Sequence, residues 1–372
     1  MNDNLQYRIV LRTKSPVFVG SGDSFTKKEY LFDRNTNRVA IIDGAKLMKW
    51  LVKRGGTAID EYERFMLGGD RQYLRDFFRK INITPSEEKS LHLYETDASE
   101  AIPDNGTLME IKAFTRDAYN RPYVPGSSLK GALRTIILVK MLRDDQSRPP
   151  LPDDMSKKYS AAETESRYLN TLRIKNKVSD ALNSVMRGVS ISDSAPLGQE
   201  SMALARKVDR FRDGGENALN VARECARPGT DIRFLLAINP RLCGPVNAEF
   251  ITSAVSEFGD YYKTVFSDKF TKPSDDIGEA FEDCILLGGG CGYFSKNIVY
   301  PGRPWSVALK RVSEVMQAKF RKHNHGKDVT VGISPRAIKY TEYRAGKSAP
   351  LRSYHFGVCH FSIERSVNDK TV

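Results

Sequence analysis

From Tyr7 to Lys14 apolar and polar residues alternate, the period of a strand with one buried face; Pro16 and the Gly20-Ser21-Gly22 loop end it. Two further strand-like runs, Glu29–Arg34 and Arg38–Ile42, flank Asn35-Thr36-Asn37, a hairpin turn because Asn tolerates left-handed backbone. Asp43 then caps a helix over Ala45–Lys53, with Leu47, Trp50 and Leu51 on one face. Residues 55–105 carry a helical pattern around Tyr62–Lys80 and then a polar stretch, and read as an insertion. The strand Leu108–Thr115 leads to a helix that starts at Ser127 or Ser128, runs to about Leu142 and is closed by Pro149, Pro150 and Pro152.

Strands are expected at Val185–Asp193 and Ala203–Phe211. A second unit follows, with Val221–Arg227, a Pro228-Gly229-Thr230 turn, the strand Asp231–Ile238, a helix over Ala248–Phe266, the apolar run Cys284–Leu287 and a last strand, His355–Glu364. Strand, hairpin and helix in this order favour an α+β fold with helices packed on one face of a sheet. Each half offers strands, helices and a glycine-rich loop, so the pattern predicts a duplicated small α+β domain, divided as 1–195 and 196–372.

The length agrees with that division: 372 residues at roughly 100–200 per domain predict two domains, and 40% hydrophobic residues supply the cores. Charge adds a partner. The chain carries a net +12, distributed as +5 over residues 1–150, −2 over 151–300 and +9 over 301–372, which points to a polyanion. No apolar run approaches the ~18 residues of a membrane span and Met1–Val10 lacks the apolar centre of a signal peptide, so a soluble cytoplasmic protein without a membrane partner is expected. Cys225, Cys243, Cys284, Cys291 and Cys359 include no Cys-x-x-Cys pair and read as buried thiols rather than disulfides or a zinc site.

Three segments have the chemistry to hold an anion. In Pro125–Arg134, Gly126 permits a sharp turn, Ser127 and Ser128 place hydroxyls beside the free N–H groups of a helix start, and Lys130 and Arg134 share a helical face. A phosphate would bind there; an ordinary serine-capped helix with solvated cations has the same local features. In Gly288–Lys296, the glycines at 288, 289, 290 and 292 let a backbone approach closely, and Tyr293, Phe294 and Lys296 offer stacking and charge. The alternative there is a tight bend packed on a sheet. Gly20, Ser21 and Gly22, followed by Lys27 and Lys28, form a weaker candidate that also fits a surface turn. Pro125–Arg134 lacks the spacing of a nucleotide-binding P-loop, and Gly288–Lys296 that of a dinucleotide-binding loop.

Groups for catalysis are scarce. His92, His323, His325, His355 and His360 include no triad at zinc spacing, and no Ser or Cys has a nucleophile's context. Asp23, Asp117 and Asp193 read as strand-end carboxylates that cap turns. No catalytic residue, metal or cofactor is expected.

The run Tyr123-Val-Pro-Gly-Ser-Ser-Leu-Lys-Gly-Ala-Leu-Arg-Thr135 resembles the RAMP proteins of type III CRISPR effector complexes. Three further segments narrow the resemblance to the fifth, end-capping subunit of type III-A Csm complexes: Pro16-Val-Phe-Val-Gly-Ser-Gly22, Phe114-Thr-Arg-Asp-Ala118 and the single Leu287–Lys296 loop. The resemblance spans about Tyr7 to Ile363. It implies two RRM-like, ferredoxin-like domains and a non-catalytic antiviral-defence subunit that binds guide RNA near its 3′ region and is needed for guide maturation. The implied partners are the guide RNA, a neighbouring backbone RAMP subunit, the small helical subunit and host trimming nucleases. By motif, the RNA-facing positions are the glycine-rich loop and the Ser127–Arg134 helix start, with Arg116 as a nearby cation. An endoribonuclease of the same superfamily, processing repeat RNA, is the competing expectation.

Overall fold

The computed structural model describes residues 4–69, 72–99, 101–102, 109–145, 159–273, 276, 280–346 and 348–365. In chain order the elements are β1 (Leu5–Thr13), β2 (Gly20–Phe25), β3 (Tyr30–Asp33), β4 (Arg38–Ile42), α1 (Gly44–Arg54), α2 (Gly56–Leu67), α3 (Leu74–Lys80), α4 (Pro85–Ser90), β5 (His92–Asp97), β6 (Glu110–Phe114), α5 (Gly126–Asp144) and α6 (Tyr159–Leu169). They continue with β7 (Val189–Ile191), β8 (Met202–Phe211), β9 (Glu216–Ala226), β10 (Asp231–Ile238), α7 (Ala248–Val265), β11 (Cys284–Leu286), α8 (Trp305–Lys319), α9 (Asp328–Val331), β12 (Ala337–Tyr343), β13 (Arg352–His355) and β14 (Val358–Arg365).

The first sheet runs β11-β14-β1-β10-β7, with every neighbouring pair antiparallel. Its chain path is β1, α5, β7, β10, α7, β14, the βαββαβ order of a ferredoxin-like, RRM-like unit. Alternation in β1 sends Tyr7, Ile9 and Leu11 inward, where they join Leu129, Leu133 and Ile136 of α5 and Ile251, Val255, Phe258 and Tyr262 of α7 in the main core. Each aliphatic or phenylalanine side chain among them, fully buried, contributes about 1.5–3 kcal/mol.

The second sheet runs β2-β6-β9-β8-β5-β4-β3, with β12 also on β8 and β13 on β12. The pairs β5–β8 and β6–β9 are parallel. One face of β3 and β4 (Leu31, Ala40, Ile42) is covered by α1–α3 through Leu47, Leu51, Phe65, Phe77 and Phe78; the other (Tyr30, Val39, Ile41) meets Ile111, Leu204 and Ala222. The expected α+β class, the RRM-like unit and the helical additions are all present. Both sheets draw strands from either side of residue 195.

Local chemistry explains the boundaries. Asn37 closes the β3–β4 hairpin at φ 55°, and the Asp43 carboxylate accepts from the Lys46 N–H at 3.0 Å to start α1. Thr84 and Glu87 form a capping box on α4. Several elements differ from expectation. Tyr62–Lys80 is divided between α2 and α3, and the stretch read as polar contains β5, a strand between β4 and β8. Gly20–Gly22 is not a loop but the start of β2, whose pairing with β6 shifts register at a bulge where Gly22 has φ +100°. His355–Glu364 is interrupted by Gly357 at φ +84°, which separates β13 from β14. The expected stop at Pro149, Pro150 and Pro152 lies outside the described residues. All five cysteines are buried thiols, as expected.

Candidate nucleic-acid interface

The three anion-binding candidates lie far apart in sequence, and the fold brings part of each to one place. A groove of about 670 Å³ is lined by Phe18, Gly20, Gly22 and Asp23 from the β2 edge, by Ser127, Ser128, Gly131, Ala132 and Thr135 along α5, and by Gly288, Gly289, Ser295 and Lys296 from the segment after β11. Ser127, Ser128, Gly131, Ala132 and Thr135 share one face of α5 at helical spacing, so the wall they form carries only small side chains. A Cβ added at Gly131 would meet nothing within 4 Å, so the wall there is open backbone.

The glycine-rich segment is positioned by backbone contact. Gly289 N–H donates to Phe18 O at 2.7 Å, and Gly288, at φ +88°, sits where a Cβ would lie 2.1 Å from that same oxygen. The close approach that glycine permits is therefore made to this chain's own β1–β2 connection, which fixes one wall of the groove against another. Gly290 and Gly292 turn the chain away beside Phe356 and Lys339. Phe294 is not on the groove: it is buried, stacked on Phe266 with ring centroids 4.5 Å apart. Tyr293 is half-buried, which pushes its phenol up to about 12.

At the start of α5 the N-cap is Pro125, whose side chain makes no capping hydrogen bond; the serine-cap reading does not hold. Instead the Asp193 carboxylate accepts from Gly126 N–H at 2.8 Å, placing a negative group at the helix N-terminus. Gly126 is a packing residue, since a Cβ would lie 2.4 Å from Ile191 O and Ser192 O of β7 and its end. Ser127 and Ser128 face the groove. Lys130 is half-buried and its ammonium is held below the ordinary lysine range, first by burial and then by Arg134. Arg134 is ion-paired with Glu165 of α6.

Other expected contacts are built into the fold. Lys28 Nζ donates to the carbonyls of Phe65, Met66 and Gly68 at 2.7–3.0 Å, satisfying the end of α2. Lys27 lies over the Tyr73 ring at 5.2 Å. Arg116 lies 3.7 Å over the Tyr94 ring, donates to Asn120 O and to Gln199, and pairs with Glu224, whose side chain is fully buried. Of the cations singled out in the sequence, Lys296 is exposed and lines the groove. A further lining cation, Lys112 of β6, has no signal in a one-dimensional reading, because only the β2–β6 pairing brings it beside Ser24.

Asp23 is the one carboxylate among the described lining residues. Asp117 caps its own turn by accepting from Tyr119 and Arg121 N–H. His355 is fully enclosed; its Nε2 meets Tyr340 and Ser267 hydroxyls at 2.8 and 3.1 Å, and burial pushes its ring down to about 3. No group of three or more His, Cys, Asp and Glu poised for a metal occurs among the described residues, and no described helix is long and apolar enough to cross a membrane. A larger cavity, about 1090 Å³, lies between the β3–β4 hairpin and α3–α4, contains none of the glycine-rich segments and mixes both charge signs.

An RRM-like α+β core in which a small-residue helix start and a glycine-rich segment meet across one groove defines the class of fold. Residues 10–295 match the RAMP superfamily model, and the chain belongs to the RAMP superfamily. It is similar over nearly its whole length to proteins named CRISPR system Cms protein Csm5. That of Enterococcus italicus is 26% identical over 95% of this chain and 96% of its own length. That of Mycobacterium tuberculosis is 25% identical over 98% and 100%, and that of Streptococcus thermophilus 22% over 98% and 98%. The fold is similar to a chain in the cryo-EM structure of a Csm-crRNA-target RNA ternary complex of a type III-A CRISPR-Cas system, with TM-score 0.57, 17% identity, and 96% of this chain and 100% of that one covered. It is likewise similar to the crystal structure of T.onnurineus Csm5, with TM-score 0.57, 19% identity and coverages of 76% and 90%. The chain is thus a Csm5-like RAMP protein of the type III-A kind.

Proposed function

We propose that this chain is a non-catalytic subunit of a cytoplasmic type III-A Csm complex that binds the guide RNA and caps the backbone filament near the guide's 3′ region, where it is needed for guide maturation. The observation that carries the reading is the convergence of parts of residues 18–23, 127–135 and 286–296 on one groove with small side chains, the hydroxyls of Ser127 and Ser128 and the ammonium groups of Lys112 and Lys296. A sugar–phosphate backbone fits such a wall because the helix presents no bulky side chain. Hydroxyls and cations recognise phosphate without selecting a base. The net charge of +12 adds long-range attraction.

Neighbouring RAMP and small helical subunits, and host trimming nucleases, are the protein partners of this proposal. The near-complete coverage of the Csm5 relatives supports it. The competing endoribonuclease reading has Asp23 in the groove but no histidine among the described lining residues, and His355 is enclosed in the core.

Lys296→Ala tests the groove. With single-stranded RNA it should lower the slope of log affinity against log salt by about 0.7, the value for one lost phosphate contact. An unchanged slope with an intact circular dichroism spectrum counts against the placement. Sizing the guide in complexes assembled with and without this chain tests capping: untrimmed guides without it fit, and unaltered guide lengths do not. Repeat RNA cut by the purified protein and spared by Asp23→Ala would favour the enzyme.

A further inference from the structure

The groove that suits a polyanion also holds a negative group that the fold does not use. Asp23 is the one carboxylate among the described lining residues, together with the hydroxyls of Ser127 and Ser128 and the cations Lys112 and Lys296. It is exposed, and its carboxylate forms no hydrogen bond or ion pair with another described residue. Carboxylates on the neighbouring strands are committed to the fold. Glu110 holds Lys112 at 2.7 Å, and the buried Glu224 accepts from Phe114 N–H at 3.0 Å while pairing with Arg116.

The backbone fixes where this carboxylate stands. Gly20 is opposite Phe114 and Ser24 opposite Lys112, so Ser21, Gly22 and Asp23 together face the single residue Ala113 across the β2–β6 pair. This bulge, with Gly22 at φ +100°, takes Asp23 out of the ladder, and its N–H donates to Ser21 Oγ at 3.1 Å. A carboxylate repels phosphate, so its presence among these walls favours a ligand that brings its own donor. Ribose repeats one at every nucleotide, the 2′-hydroxyl, and deoxyribose lacks it. Donation from a hydroxyl to an ionised carboxylate is one of the stronger hydrogen bonds, and a carboxylate desolvated without a donor is penalised. Both effects favour RNA.

We propose that Asp23 accepts a hydrogen bond from a ribose 2′-hydroxyl and makes the groove selective for RNA over DNA, an assignment that rests on the groove holding a sugar–phosphate backbone. The cations and hydroxyls of the walls attract either nucleic acid, because they meet phosphate. Asp23 tells the two apart: the 2′-hydroxyl offsets its charge in RNA, and the charge is left as net repulsion in DNA. Its role is specificity, and it lowers the affinity for every polyanion that lacks the donor.

The test uses the full chain and three labelled single strands of one sequence: RNA, 2′-fluoro RNA and DNA. The 2′-fluoro strand keeps the ribose pucker without a 2′ donor, so it separates the hydrogen bond from the shape of the sugar. The parent should bind RNA about tenfold more tightly than 2′-fluoro RNA or DNA, the low end for a hydrogen bond to a charged group because Asp23 is exposed. Asp23→Ala also removes a repulsive charge, so the ratio is the readout: it should bind RNA and 2′-fluoro RNA equally. Should Asp23→Ala fail to fold by circular dichroism, Asp23→Asn, which keeps an acceptor without the charge, should reduce the preference to about threefold. Equal binding of RNA and 2′-fluoro RNA by the parent overturns the assignment, as does a preference that survives Asp23→Ala. A preference abolished by EDTA also overturns it, since a bound cation would then stand between Asp23 and the strand. Lys296→Ala separates the two claims: if it leaves all three strands unaffected the groove reading fails, whereas weakening of all three with a preference indifferent to Asp23 refutes the 2′-hydroxyl contact alone.

Discussion

Gly131 separates the stability of the fold from the use of the groove. It sits six positions into α5 on the wall formed by Ser127, Ser128, Ala132 and Thr135, and a Cβ there has no neighbour within 4 Å. Glycine in a helix interior costs about 0.5–1 kcal/mol relative to alanine through the freedom it loses on folding. Gly131→Ala should therefore stabilise the protein by that amount and raise the Tm by about 1–2 °C, the shift expected for a large chain. Gly131→Leu retains most of this gain, because leucine is nearly as good a helix former. Its three further carbon atoms project into the 670 Å³ groove where the backbone is otherwise bare. RNA affinity should fall at least about tenfold, or ~1.4 kcal/mol. Thermal unfolding and fluorescence anisotropy with single-stranded RNA measure the two effects on the same preparations. A Gly131→Leu protein that is stabilised and binds RNA as tightly as the parent refutes the use of this wall.

Gly288→Ala acts in the opposite sense. Its Cβ is directed at Phe18 O and its backbone is left-handed, so urea unfolding should show a loss of about 2–4 kcal/mol. Arg116→Ala leaves the buried Glu224 carboxylate without its cation and should cost about 3–5 kcal/mol in the same assay; unaltered stability with weakened RNA binding would instead make Arg116 a contact residue. His355 is kept neutral by burial and its folded pKa lies below the unfolded one, so its contribution is complete above about pH 6.5 and is lost as pH falls toward 3. Between pH 7 and pH 5 the wild type should lose about 2 kcal/mol through this group. His355→Gln should lack that component, and a stability difference between the two that does not change with pH would contradict it.

What the sequence shows of this fold depends on how local the deciding interactions are. Asp231–Ile238 and Ala248–Val265 are legible because each buries one regular face, and Asp43 and Asn37 act within three residues of their own positions. β5 is hidden because His92, Glu95 and Asp97 look like solvent residues until β4 and β8 flank them. Gly20–Gly22 looks like a loop because glycine and serine are poor strand formers, yet β6 supplies a partner. The glycine-rich segments announce a close backbone approach, but not that Gly288 approaches Phe18 of the same chain. The cations are least legible. The carbonyls that hold Lys28 and the carboxylates that pair with Arg116 and Arg134 lie about 30–110 residues away.

Photocrosslinking in the assembled complex, with a photoreactive residue at Ser128 in the groove and another at the exposed Lys53 of α1, addresses the central claim most directly. The predicted result is a crosslink from position 128 to the guide RNA in its 3′ region and none from position 53. Guide RNA crosslinked from position 53 and never from position 128, in complexes that retain this subunit, would contradict the groove as the RNA-binding surface.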